Sequence, residues 1–301
     1  MQQALEDLQM RLDTPEGNLN PSRRAMAGSL FISGYAAAAL SACATPVSTS
    51  GDNLVTEDVH FTGAGGYPLP GYLARPEASG RKGTIIVVNE IFGVHDYIKD
   101  VCRRLAREGY AALAPDYFDR AGDPAQLTDM GAIREIVGAA TNEQVMGDTQ
   151  GALDWLKERR FVNDRAFGVT GFCWGGSVVW MACARFAEMK AGVAWYGRLV
   201  APQAGGFGAG EARQWPVDVA SQLRAPVLGL YAENDRGIPV ASVEQMRGAL
   251  AANGNPTGSE IIVYPGVGHG FHADYRESYD AAVAAQGWSR LLHWFRTHGV
   301  A

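Results

Sequence analysis

The chain has 301 residues, 47% of them hydrophobic and 19% charged, which is enough to bury one sizeable core and short enough for a single domain. A formal net charge of -6 removes the usual reason to expect nucleic acid as a partner. The four cysteines, Cys43, Cys102, Cys173 and Cys183, form no C-x-x-C pair, so a zinc-type or dithiol signature is excluded.

Residues 1–21 are polar. Ser22-Arg23-Arg24 then precedes an uncharged run, Ala25 to Ala42, rich in Ala, Gly and Ser. Two arginines ahead of a modestly apolar stretch have the form of a twin-arginine export signal, and the stretch is too weakly hydrophobic for a permanent span. Leu40-Ser41-Ala42-Cys43 resembles the lipobox of bacterial lipoproteins. Cys43 would then be the lipid-modified first residue of an envelope-attached protein, whereas a cut near Ala42 or Ala44 would release a periplasmic one. The alternative is an ordinary N-terminal helix on a cytoplasmic protein. Thr45 to Asn53 reads as a linker that tethers rather than packs. Residues 1–52 are accordingly assigned to export and tether, and 53–301 to the folded domain.

Leu54 to Phe61 and Tyr67 to Arg75 read as an antiparallel pair of strands around Gly63-Ala64-Gly65-Gly66. Thr84 to Asn89 is a β-branched run without polar alternation, as in a strand covered on both faces. A helix is predicted over Asp96 to Glu108, stopped by Gly109, then a strand over Tyr110 to Ala114. Helices follow near Leu127 to Val137 and over Glu143 to Arg159. The run Phe167 to Thr170 leads into a helix ending near Met189, with further strands over Gly192 to Tyr196, Pro226 to Tyr231 and Ser259 to Tyr264. Helices over Val240 to Leu250 and Ser278 to Arg296 complete the alternation. Cys102 and Cys183 fall in predicted helices and read as buried, inert thiols. Such alternation specifies an α/β fold: a mostly parallel sheet with helices on both faces.

Gly171-Phe172-Cys173-Trp174-Gly175 has the form of a nucleophile on a tight strand-to-helix turn. In an open parallel sheet, residues just past the strand ends converge on one edge. Asp235 and His269 each follow a predicted strand, and the order nucleophile, acid, histidine is that of α/β-hydrolases. Cys173 would attack an acyl carbon, His269 would manage the proton, and Asp235 would orient the imidazole. Glu233 is a rival acid and His272 a rival histidine. Backbone amides of Trp174 and Ile91 are the expected oxyanion donors. Trp195 and Tyr196, just after their strand, are expected to line an apolar part of the pocket, with Phe271 and His272 beside it. No phosphate-binding glycine loop or ligand cluster is present, so neither metal nor organic cofactor is implied.

From about Asn53 onward, the segments VVNEIFGVHDYIKD, APDYF, GFCWGG, ENDRGIP and PGVGHGF resemble the dienelactone hydrolase (carboxymethylenebutenolidase) family. The resemblance implies an α/β-hydrolase fold, a Cys173–His269–Asp235 triad and hydrolysis of a small ester or enol-lactone through an acyl-cysteine. It adds Glu90, which in the family interacts with the resting thiol and helps form the thiolate when substrate binds. Family members hold the substrate carboxylate with arginines. Arg120 matches one of them. The second has no match in Phe271-His272-Ala273, which leaves Arg276 or His272 to supply the charge. Rival readings are a broader carboxylesterase or thioesterase, a peptide hydrolase, and a non-catalytic envelope scaffold.

Overall fold

Strand β3 (Lys82–Val88) shows how this chain builds its layers. Ile85 and Val87 enter one apolar cluster while Ile86 and Val88 enter another, and all four are fully buried. Alternation of side chains along a strand thus feeds two cores, one on each face of the sheet. The computed structural model describes residues 46–202 and 213–301. The export signal and Cys43 lie outside the described residues.

β1 (Leu54–Thr62) and β2 (Pro68–Pro76) pair antiparallel around a turn in which Gly65 and Gly66 have φ of 66° and 79°. β2 pairs antiparallel with β4 (Ala111–Pro115). From there the sheet is parallel through β3, β5 (Val162–Phe172), β6 (Met189–Trp195), β7 (Val227–Ala232) and β8 (Glu260–Tyr264), in the order β1-β2-β4-β3-β5-β6-β7-β8. Helices α1 (Asp96–Arg107) and α6 (Ala281–Thr297) cover one face through Ile98, Val101, Leu105, Leu291 and Phe295. The other face carries α3 (Asn142–Lys157), α4 (Trp174–Arg185) and α5 (Val240–Ala252), with Leu153, Val179, Trp180 and Met246 inward. Helix α2 (Met130–Ala139) adds Ile133 and Val137 to that second core. This is the mostly parallel sheet with helices on both faces expected from the alternation, and the α/β-hydrolase architecture that the family resemblance implies.

Element boundaries differ from the sequence reading where capping or pairing decides them. Asp129 accepts from the Ala132 amide and starts α2 later than Leu127, and Asp280 does the same for α6 through Val283. β5 begins at Val162 because Lys82 pairs with Val162 across a bulge. The predicted tether is corrected by its own hydrogen bonds. Thr49 donates its amide to Asp100 Oδ1 (2.6 Å), and Arg107 donates to the Ser50 carbonyl (3.0 Å), so this stretch packs on α1.

Candidate active site

The centre of the site is the turn between β5 and α4. Val88 pairs with Gly171 and Phe172 with Trp195, so Glu90, Cys173 and Tyr196 stand level just beyond three adjacent strand ends. Cys173 has φ 55° and ψ -116°, a strained left-handed conformation for a residue with a Cβ. Its amide donates to the Trp195 carbonyl (3.0 Å), which ties the strained residue to β6. Close approach requires glycine at Gly175, where a Cβ would sit 2.5 Å from the Val88 oxygen and 2.6 Å from that of Asn89. The first turn of α4 therefore rests directly on the end of β3, beside Ile91. Among the described residues, neither the Ile91 nor the Trp174 amide has a hydrogen-bond acceptor. Cys173 is half-buried, whereas Cys102 and Cys183 are fully buried, and burial pushes both of their thiols far up.

Loops after β7 and β8 bring the acid and histidine together. His269 Nδ1 lies 2.6 Å from Asp235 Oδ2, and the other oxygen, Oδ1, accepts from the Gly237 and Ile238 amides at 2.8 and 3.0 Å. The Asp235 carboxylate is thus fixed before it meets the imidazole. Glu233 is occupied elsewhere, accepting from the Gly266 amide (2.9 Å) and tying the two loops together. The Tyr196 ring, at φ 37° and fully buried, packs edge-on to His269 with centroids 5.0 Å apart.

Glu90 has no solvent exposure, yet three side chains serve its carboxylate. Arg276 Nη2 donates to Oε1 (3.0 Å), the Tyr275 hydroxyl donates to Oε2, and His95 Nε2 lies 3.7 Å from Oε2. Burial works against the charge, but Arg276 above all, with His95 and Tyr275, holds its pKa down at about 2. Arg276 is itself buried. Burial opposes its charge too, and is outweighed by Glu90, Tyr275, Cys173 and Tyr196, which keep it charged well above the usual arginine range.

The residues expected to bind substrate fare unequally. Arg120 donates to Asp148 Oδ1 (2.6 Å) and lies 4.4 Å over the Tyr67 ring, so it fastens the β1–β2 turn to α3. Trp195 is core: fully buried, it donates to Thr170 Oγ1 (3.2 Å) and fills the space above Gly287 of α6. Phe271 is fully buried against Tyr196 and Tyr264. His272 is core as well, hydrogen-bonded to the Tyr97 hydroxyl (2.7 Å) among Phe172, Trp195 and Trp288. Burial, with Arg104, pushes its pKa down to about 3, so it stays neutral. The expectation that Trp195, Phe271 and His272 line the pocket is therefore corrected, and Arg120, expected as an arginine for the substrate carboxylate, is paired with Asp148 instead. Arg276 does reach the site, through Glu90. Sequence reading missed Tyr275 and His95, and the only local signal for either was a polar aromatic beside Arg276 and a histidine just before α1. Among the described residues, no three His, Cys, Asp or Glu side chains gather as a metal site.

Comparison with known proteins agrees with this geometry. A profile described as "Dienelactone hydrolase family" matches residues 69–299. A "putative carboxymethylenebutenolidase" of Methylorubrum extorquens is 45% identical over 282 residues, covering 93% of this chain and 94% of that one. Another of that description, from Escherichia coli K12, is 44% identical over 89% of this chain and 96% of its own. The crystal structure of a "putative dienelactone hydrolase" from Klebsiella pneumoniae superposes with a TM-score of 0.75 at 42% identity, over 81% of this chain and 98% of that one. With its motifs, sheet order and strand-end cysteine all in agreement, this chain belongs to the dienelactone hydrolase family.

Proposed function

We propose that the protein hydrolyses a small carboxylic ester or enol-lactone, of the carboxymethylenebutenolide type, through a covalent acyl-Cys173. The observation that carries this reading is the Asp235–His269 pair, at 2.6 Å, on the same sheet edge as a half-buried cysteine in a strained elbow. A carboxylate only accepts, so Asp235 fixes the proton on His269 Nδ1 and leaves Nε2 as the basic nitrogen. Nε2 takes the Cys173 proton, and the thiolate adds to the acyl carbon. The resulting oxyanion lies where the Ile91 and Trp174 amides can donate. Collapse expels the alcohol or enol oxygen, protonated by His269, and leaves a thioester. Water, deprotonated by Nε2, then releases the acid and restores the thiol.

Glu90 and Arg276 bear on which substrate enters. A carboxylate held at about 2 by Arg276 is too weak a base to take the thiol proton at neutral pH. A carboxylated substrate that competes for Arg276 would free Glu90 and raise its basicity, linking binding to thiolate formation. Neutral esters form the second reading, favoured by the commitment of Arg276 to Glu90 and of Arg120 to Asp148.

Steady-state hydrolysis of a carboxylated dienelactone and a neutral aryl ester, by wild type and Cys173→Ala under reducing conditions, tests both. Preference for the dienelactone, lost in the variant, is expected. Cleavage of the neutral ester alone would select the second reading, and cleavage of neither would overturn the proposal in favour of a scaffold role. Export through Arg23-Arg24, with lipidation of Cys43, is proposed on sequence grounds. Fractionation of an Arg23→Lys/Arg24→Lys variant should find it retained in the cytoplasm, and unchanged partition would contradict export.

A further inference from the structure

We propose that Arg104, set by Asp100 and by the strap of chain at Thr49–Ser50, is a positioning residue that braces the Tyr275–Arg276 loop against Glu90. This rests on the reading of Cys173 as the nucleophile. Arg104 lies on α1, touches none of the proposed reacting groups, and connects two buried carboxylates. Its Nε donates to Asp100 Oδ2 (2.5 Å) and its Nη2 to Asp274 Oδ2. Asp100 and Asp274 are each 2% exposed. Arg276 follows Asp274 by two residues, held in a tight turn by the hydrogen bond that its amide donates to the Ala273 carbonyl (2.9 Å). The position of Asp274 therefore decides whether Arg276 reaches Glu90.

The same face of α1 grips this loop a second time, since Tyr97, about two turns before Arg104, holds His272. Helix α1 also begins five residues after Ile91, so one rigid element fixes both the Glu90 segment and the loop that neutralises it. Asp100 needs its own partners in order to hold Arg104. Thr49 donates its amide N–H to Oδ1 (2.6 Å) and its hydroxyl to Oδ2 (3.3 Å), while Arg103 donates to Oδ1 (3.0 Å) and to the Thr49 carbonyl (2.9 Å). Buried ion pairs of this kind add little net stability compared with apolar packing, but they fix geometry. Here the geometry fixed is that of Arg276 against Glu90. The chain before β1 is in this way part of the working site, and processing near Ala42 or Ala44 would leave the strap whole.

The test is a double-mutant cycle in the full chain with Arg104→Gln, Arg276→Gln and the two combined. The readouts are the rate at which iodoacetamide alkylates Cys173, followed by mass spectrometry of its peptide, and kcat and KM for a neutral aryl ester. Arg276→Gln removes the cation that keeps Glu90 a weak base, leaving Glu90 able to take the thiol proton, and is expected to speed alkylation about tenfold, and Arg104→Gln severalfold. The double variant should be no faster than Arg276→Gln alone, with kcat rather than KM carrying the change. Multiplying effects, or a folded Arg104→Gln with an unchanged alkylation rate, would overturn the brace. If Arg104→Gln does not fold, Thr49→Pro takes its place in the cycle, because it deletes only the surface strap's amide donor and hydroxyl. Alkylation needs no substrate. Failure of ester cleavage would thus count against the proposed reaction, and failure of the coupling against the brace.

Discussion

Asp235 and Glu233 are both carboxylates just past β7, and burial and hydrogen bonds separate them: Asp235 is buried and Glu233 exposed. Asp235 is held on one oxygen by two amides and presents the other to His269, while Glu233 clasps the Gly266 amide. Asp235→Asn would let His269 adopt the wrong tautomer, and kcat should fall by about a thousandfold or more with KM little changed. Glu233→Gln should stay within about fivefold of wild type, since it removes only a loop contact. Equal losses in the two variants would contradict the assignment. In the sequence, Asp235 and His269 were legible from their places after strands. The fates of Arg120, Arg276 and His272 were not, because each depends on a partner far away in the chain: Asp148, Glu90 and Tyr97.

The strand-to-helix elbow is the element on which the site depends. The spacing of Gly171 and Gly175 around Cys173 announces it, and the structure supplies the reason for Gly175 in the carbonyls of Val88 and Asn89. Backbone oxygens of a central strand cannot swing aside as a side chain can. Gly175→Ala should destabilise the fold by about 3 kcal/mol in urea unfolding, and displace the Trp174 amide enough to lower kcat as well. A change below about 0.5 kcal/mol would mean that α4 does not rest on β3 as described. Helix α1 was equally legible as a helix. Its second task, gripping the 270–280 loop through Tyr97 and Arg104, could not be read from periodicity, which reports an inward face without naming what it meets.

For the whole molecule, the two-layer core was legible because unbroken apolar strands need cover on both faces. Packing of the Thr49–Ser50 strap was not, since it rests on a few single hydrogen bonds rather than on a hydrophobic pattern. Stability should carry the mark of the buried histidine. His272 falls from its ordinary 6.5 to about 3, so between those values the unfolded chain binds the proton that the folded one refuses. Stability from this group is therefore complete above pH 6.5 and lost as pH falls towards 3. Asp116, raised by burial to about 6, acts in the opposite sense, which makes a comparison between variants the proper test. As pH falls from about 6.5 to 4, wild type should lose unfolding free energy relative to His272→Gln, so that the difference between the two changes with pH. Identical slopes would contradict a neutral, buried His272.

The reaction proposed for this site turns on a thioester at Cys173. The most direct measurement is acid quenching of the enzyme within its first turnovers on an activated ester, followed by peptide mass spectrometry. The acyl mass is expected on the peptide containing Cys173 in wild type, and is expected to be absent from Cys173→Ala. Steady turnover with no adduct at Cys173 at any quench time, or an adduct on another residue, would contradict it.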